Sequence, residues 1–161
     1  MRRIALIALS LAVLAVCNAA IYRNERLLAS GETIYLELAP VDPRSLMQGD
    51  YMRLRYAIER RAQNDPGAWT ARGGYMVASL DENRVASFVR FYDGGAIGPN
   101  ERLVPYHRER RALRIAPDSF MFQEGQAAVY AGARFGEFKT DGAGRQLLVG
   151  LAGPDRKRLG P

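Results

Sequence analysis

The first pattern along the chain is an apolar run, Ile4 to Ile21, broken only by Ser10 and Asn18, with Met1 to Arg3 basic before it and Tyr22 and Arg23 after it. Eighteen helical residues extend about 27 Å, close to the roughly 30 Å hydrocarbon thickness of a bilayer, so the run predicts a membrane-spanning helix. Past a short polar connector the period changes from helical to two. Ile34, Leu36 and Leu38 alternate with Thr33, Tyr35 and Glu37, which predicts a first strand closed by Pro40 and Pro43. Ser45 to Gln48 fits a single helical turn. From Tyr51 the alternation resumes, with Met52, Leu54, Tyr56 and Ile58 on a core side and Tyr51, Arg53, Arg55 and Ala57 opposite. Arg60 to Gly74 reads as a turn-rich loop with Trp69 exposed.

Two hairpins follow from turn chemistry. Tyr75 to Leu80 and Arg84 to Tyr92 flank Asp81-Glu82-Asn83, and Glu137 to Thr140 and Arg145 to Val149 flank Asp141-Gly142-Ala143-Gly144. In the first, Val85, Val89 and Phe91 share one face and Phe88, Arg90 and Tyr92 the other, so both faces carry large apolar groups. Leu103 to Ile115 holds one or two strands, Gln126 to Arg134 a short alanine-rich helix, and Arg156 to Pro161 a loose basic tail. The expected fold is therefore mainly β: an N-terminal transmembrane helix, then a compact antiparallel β-sandwich or small β-barrel with one short helix. The divisions are an anchor over 1–23, a connector over 24–31, a β-rich domain over 32–155 and a tail over 156–161.

Composition agrees with one folded domain. Of the 161 residues, 48% are hydrophobic, enough for a modest core, and 16 Gly with 8 Pro suit a turn-rich fold better than long helices. A cleavable signal peptide ending near Cys17-Asn18-Ala19 competes with the anchor. The uncleaved anchor is favoured because apolar character continues to Ile21 and Tyr22. Lipidation at Cys17 is disfavoured by Val16, since that signal requires a small residue before the cysteine. The basic flanks and the large hydrophilic remainder place the N-terminus in the cytoplasm, the helix in the inner membrane and the domain in the periplasm.

The formal charge of +6 raises nucleic acid as a ligand. Half of that surplus sits at Arg2, Arg3 and Arg23, around the apolar run, and the remainder is an interspersed mixture of signs without a recognised module, so nucleic-acid binding is excluded. Basic surplus is dense only at Arg108-Glu109-Arg110-Arg111 with Arg114, and at Arg156-Lys157-Arg158. The first cluster reads as a solvated strand face, with an anionic lipid surface as its alternative partner.

The run Gly49-Asp50-Tyr51-Met52-Arg53-Leu54-Arg55-Tyr56 follows an Asp42-Pro43 corner and reads G-D-Y-x-x-L-x-Y. Together with the apolar helix, Pro40-Val41-Asp42-Pro43-Arg44, the aromatic Phe120-Met121-Phe122, the Gln123-Glu124-Gly125 turn and the last hairpin, it resembles the GDYXXLXY family of membrane-anchored bacterial proteins. Gln123 stands where the family has proline, and Asp118-Ser119-Phe120 where it has Glu-Ser-Tyr. The resemblance implies a non-catalytic accessory or assembly protein that partners a multi-pass membrane protein; a small-ligand or envelope-component binding module is the alternative. Asp42, Pro43, Gly49, Leu54 and Tyr56 are expected to be structural. Asp50, Tyr51, Arg53 and Arg55 retain atoms for a partner.

Catalytic schemes find little support. Type I signal peptidases share an anchored β-rich build and a Gly-Asp turn, yet Val41 occupies the nucleophilic serine's place and Lys139 and Lys157 are the only lysines. His107 is the single histidine and Cys17 the single cysteine, which leaves no His-based metal cluster and no thiolate outside the apolar run. Asp42 and Asp50 as a carboxylate pair are outweighed by their turn positions beside Arg44, Arg53 and Arg55. No enzyme, cofactor or metal is expected.

Overall fold

The computed structural model describes residues 2–39 and 51–160, with the side chains of residues 2–5 and 8 set aside. Helix α1 spans Arg2–Ser30 without a break. The connector expected over 24–31 is thus helix almost throughout, and Leu27 is its one described residue buried against the domain. Among the described residues no helix is long and apolar enough to cross a membrane.

Nine strands follow among the described residues: β1 (Glu32–Glu37), β2 (Tyr51–Arg53), β3 (Gly73–Leu80), β4 (Ala86–Phe91), β5 (Glu101–Glu109), β6 (Ala112–Arg114), β7 (Ser119–Met121), β8 (Phe135–Thr140) and β9 (Gln146–Ala152). They form three antiparallel sheets ordered β1-β8-β9, β2-β7 and β4-β3-β5-β6. Single bridges, Tyr35 to Val85 and Leu38 to Tyr56, join their margins, so the wall is a half-barrel rather than a closed one. One core fills it, centred on Ile34, Leu36, Leu54, Tyr56, Met76, Val104, Ile115, Phe138 and Leu151.

The alternation of Ile34 and Leu36 is realised as read, both side chains being fully buried in β1. Both turn-based hairpins also form. Asp81 accepts the N–H groups of Asn83 and Val85, each at 2.8 Å, and Asp141 accepts those of Ala143 and Arg145 at 3.0 and 2.9 Å. Each aspartate replaces a backbone partner within its loop, which is why it closes the hairpin.

Four expectations need correction. The motif strand ends at Arg53, and Ala57–Gln63 is a helix, α2, followed by a 3-10 turn over Pro66–Trp69. Ile58 and Ala62 lie one helical turn apart and are buried, so Ile58 reaches the core from a helix and not by strand alternation. With α3 (Ala127–Tyr130) the described residues hold two short α-helices where one was expected. In β4 the pairing steps from Val77–Arg90 to Ala78–Phe88, leaving Val89 as the extra residue of a bulge. That step turns Phe88 and Phe91 to the same side, edge to face at 5.3 Å, which resolves why both faces read as apolar. Finally, the tail is fastened: Arg158 bridges Ala152 through the backbone and grips Glu137 with two bonds of 2.9 Å.

Candidate functional site

The motif tyrosine Tyr56 is buried at the N-terminus of α2, and its hydroxyl donates to the Pro117 carbonyl at 2.8 Å. This is one of several stitches between residues 53–59 and 114–119. Arg53 pairs with Ser119 in the β2-β7 ladder, and the Leu54 N–H donates to the Asp118 carbonyl at 2.7 Å. One turn into α2, the buried Glu59 carboxylate accepts the Ile115 N–H at 2.9 Å, and its second oxygen lies 3.6 Å from the Arg114 guanidinium. Two segments sixty residues apart in sequence are thereby held edge to edge.

Their junction is a cleft of about 440 Å³ lined by Arg53, Leu54, Arg55, Glu109, Arg110, Arg111, Ala112, Arg114 and Asp118. Five of these nine are arginines. Alternation puts Arg53 and Arg55 on the face away from Leu54 and Tyr56, while the β5-β6 turn brings Arg110 and Arg111 over them. Arg110 occupies this turn at φ 53°, in the left-handed region where a side chain is disfavoured. Among the described residues Arg53, Arg55, Arg110 and Arg111 make no ion pair, and the described lining carries two groups of opposite charge, Glu109 and Asp118. Among the described residues the lining holds no serine, cysteine, histidine or lysine. Such a site supplies planar, permanently charged donors suited to carboxylate or phosphate oxygens.

Electrostatics behind the cleft are set by burial. Burial pushes the Glu59 carboxyl up to about 7, against the pull of the Ile115 N–H, Arg55 and the Tyr56 N–H, while Asp118 adds to the rise. Burial, with smaller help from Glu59 and Asp118, holds the Tyr56 hydroxyl protonated far beyond its ordinary range. Among the described residues no cluster of His, Cys, Asp or Glu is arranged to hold a metal.

Of the residues singled out from the sequence, Arg53 and Arg55 line the cleft, whereas the half-buried Tyr51, at the other end of β2, does not. Leu54 and Tyr56 are core residues, at 1% exposure each, as the alternation requires. Asp42, Pro43, Gly49 and Asp50 lie outside the described residues, as does the helical turn expected over Ser45 to Gln48. Glu59, Arg110, Arg111, Arg114 and Asp118 were not read as one site with the motif. Charge density alone marked the arginines; the helical pattern Ile58-Glu59-x-x-Ala62 could have marked Glu59 as a carboxylate beside a buried face.

With the motif strand from Tyr51, its paired segment and the last hairpin assembled around one core, the family model for the GDYXXLXY protein matches residues 13–151. The chain belongs to the GDYXXLXY family. No curated protein and no solved structure matches it. The family match runs through the motif strand, the β5-β6 turn and the closing hairpin, so the whole cleft lies within it.

Proposed function

We propose that the protein is a non-catalytic accessory module, held in the inner membrane by α1 with its domain in the periplasm, and that the arginine cleft receives an acidic segment of a membrane-protein partner. The observation that carries this reading is the convergence on one cleft of arginines from two distant segments, four of which make no ion pair among the described residues. Charge of one sign held together by the fold costs stability through self-repulsion, and an anionic partner offsets it. Arg110 in a left-handed turn, a position that glycine occupies without strain, points the same way.

The anchor rests on the composition of α1 and on its surroundings. Taken whole, Ile4 to Ile21 contains no charged residue. Leu6, Ile7, Leu9, Leu11, Val13, Leu14, Val16 and Ile21 are each more than half exposed, on every side of the helix. A helix apolar all round requires an apolar surrounding, and lipid provides one. The direction of β5 locates the cleft relative to that anchor. Glu101 and Arg102 begin the strand beside Arg23 and Arg26 of α1, and Glu109 ends it at the arginine cleft. Eight residue steps separate the two, about 26 Å of strand. That length of strand sets the arginine cleft apart from the residues beside the anchor, which favours a protein partner over the lipid surface considered for these arginines.

The test is crosslinking and capture from membranes, comparing wild type with the surface variants Arg53→Glu and Arg111→Glu. Loss of a stoichiometric membrane protein from the variants, with membrane insertion and melting temperature unchanged, is the expected result. Capture of the same partner by both variants, or a wild-type protein that comes out alone, rules the reading out. Binding of free phosphate or a small dicarboxylate, in place of a protein, would select the small-ligand module.

A further inference from the structure

A second cleft, of about 630 Å³, opens where α1 meets the domain. Its walls carry three carboxylates, and each is already engaged. Glu32 takes Arg102 at 2.6 Å and Arg84 at 2.9 Å, Glu101 takes Arg90 at 2.8 Å, and Asp141 takes Arg145 at 2.7 Å. Arg23 and Arg26 face the same cleft from α1, three residues apart and so on one side of the helix. Both are exposed, and among the described residues neither makes an ion pair. Beside them stand two apolar groups, Tyr22 at 66% exposure and Ile97 at 37%, the latter at the tip of the glycine-rich loop after β4.

We propose that this cleft binds the headgroup of an anionic phospholipid. The phosphate lies between Arg23 and Arg26, and the glycerol and the roots of the acyl chains rest on Tyr22 and Ile97. Depth supports the assignment, which rests on the anchor reading of α1. Tyr22 and Arg23 directly follow the last apolar residue of the run, and Arg26 is about 4.5 Å further along the helix, so both guanidiniums sit at headgroup level. Chemistry supports it too. Two guanidiniums whose neighbouring carboxylates are consumed by other arginines leave the cleft with uncompensated positive charge, which suits a net anionic lipid over a zwitterionic one. The loop holding Ile97 forms the apolar lip of the site.

The full chain is reconstituted in nanodiscs of phosphatidylcholine alone and of an equal mixture with phosphatidylglycerol, released in mild detergent, and its retained lipids are counted by native mass spectrometry. Wild type is expected to retain phosphatidylglycerol in preference to phosphatidylcholine. Arg23→Ala and Arg26→Ala each lower that preference about fivefold, and the double variant abolishes it. Ile97→Ser weakens retention of both lipids while leaving the preference, a readout that does not depend on the helix variants. Equal retention of the two lipids by wild type, or undiminished preference in the double variant, overturns the inference. Carbonate extraction of the same sample separates the two readings. A protein that resists extraction but shows no preference loses only the lipid site, whereas one that is extracted loses the anchor and the site together.

Discussion

The Tyr56 hydroxyl donates to the carbonyl of Pro117 across sixty-one residues of sequence, at 2.8 Å. The final tyrosine of the motif therefore does two things: its ring fills the core against Phe138, edge to face at 5.6 Å, and its oxygen fastens the connection between β6 and β7, whose Asp118 lines the arginine cleft. Tyr56→Phe keeps the ring and leaves the carbonyl without this donor. The expected cost is about 1–2 kcal/mol, read as a lower urea midpoint with unchanged slope. Tyr56→Ala, which also empties the core, is expected to cost about 3–5 kcal/mol.

Glu59 makes stability depend on pH in the sense opposite to most carboxylates. Its ordinary value is 4.5, and burial pushes it up to about 7 in the fold. Between those values the folded chain holds a proton that the unfolded chain has released. The stabilisation is fully present below about pH 4.5 and is lost as pH rises through about 7, a change on the order of 3 kcal/mol. Glu59→Gln keeps an oxygen for the Ile115 N–H and removes the titration. Chemical denaturation from about pH 5 to about pH 8 is expected to show the wild-type decline and a flatter line for the variant.

Arg110 sits where glycine would be unstrained, so stability and binding are expected to part company there. Arg110→Gly relieves the left-handed side chain and lowers the positive charge of the cleft. Melting should rise by the equivalent of up to about 1 kcal/mol, the relief being partly offset by the greater freedom of glycine in the unfolded chain. Partner capture from membranes should fall in the same variant. A variant that is more stable and binds as well would deny Arg110 a part in the cleft.

Gly144 is the glycine of the last hairpin that geometry constrains most. It lies at φ 80°, and a Cβ there would come within 2.8 Å of both the Leu103 Cβ and the Tyr75 ring. Gly144→Ala combines an unfavourable backbone with a clash between two sheets, and an expected loss of about 2–4 kcal/mol is measurable by thermal or urea unfolding. Gly142, with open space around its Cα, should accept alanine with little change.

How much of this was legible in the sequence depended on the range of the interactions involved. The β1 alternation and both aspartate-closed turns involve residues within a few positions of one another, so periodicity and turn chemistry recover them. Helix α2 was hidden because Met52, Leu54, Tyr56 and Ile58 continue a period of two across a boundary at which the backbone changes state; Ala57-Ile58-Glu59-Arg60-Arg61-Ala62 nevertheless has the residues of a helix. The β4 bulge adds a single residue and reverses the inward face, a step that no regular period encodes. The arginine cleft was out of reach for a different reason. Arg53 and Arg111 meet because β2 pairs with β7 and Glu59 holds Ile115, contacts set by the packed core and not by any local pattern. The tail misled for the same reason, since its partner Glu137 is twenty-one residues away.

Only Gly31 separates α1 from β1, and the join is braced: the Gly31 N–H donates to the Leu27 carbonyl at 2.8 Å, and the Lys139 ammonium donates to the Gly31 carbonyl at 3.1 Å. A chain held in the bilayer as proposed thus carries its domain on a stiff mast and not on a tether. On that reading the arginine cleft keeps a fixed position relative to the anchor. Reach, as well as charge, then selects the partner, since an acidic segment nearer to or farther from the lipid surface finds no cleft at its level.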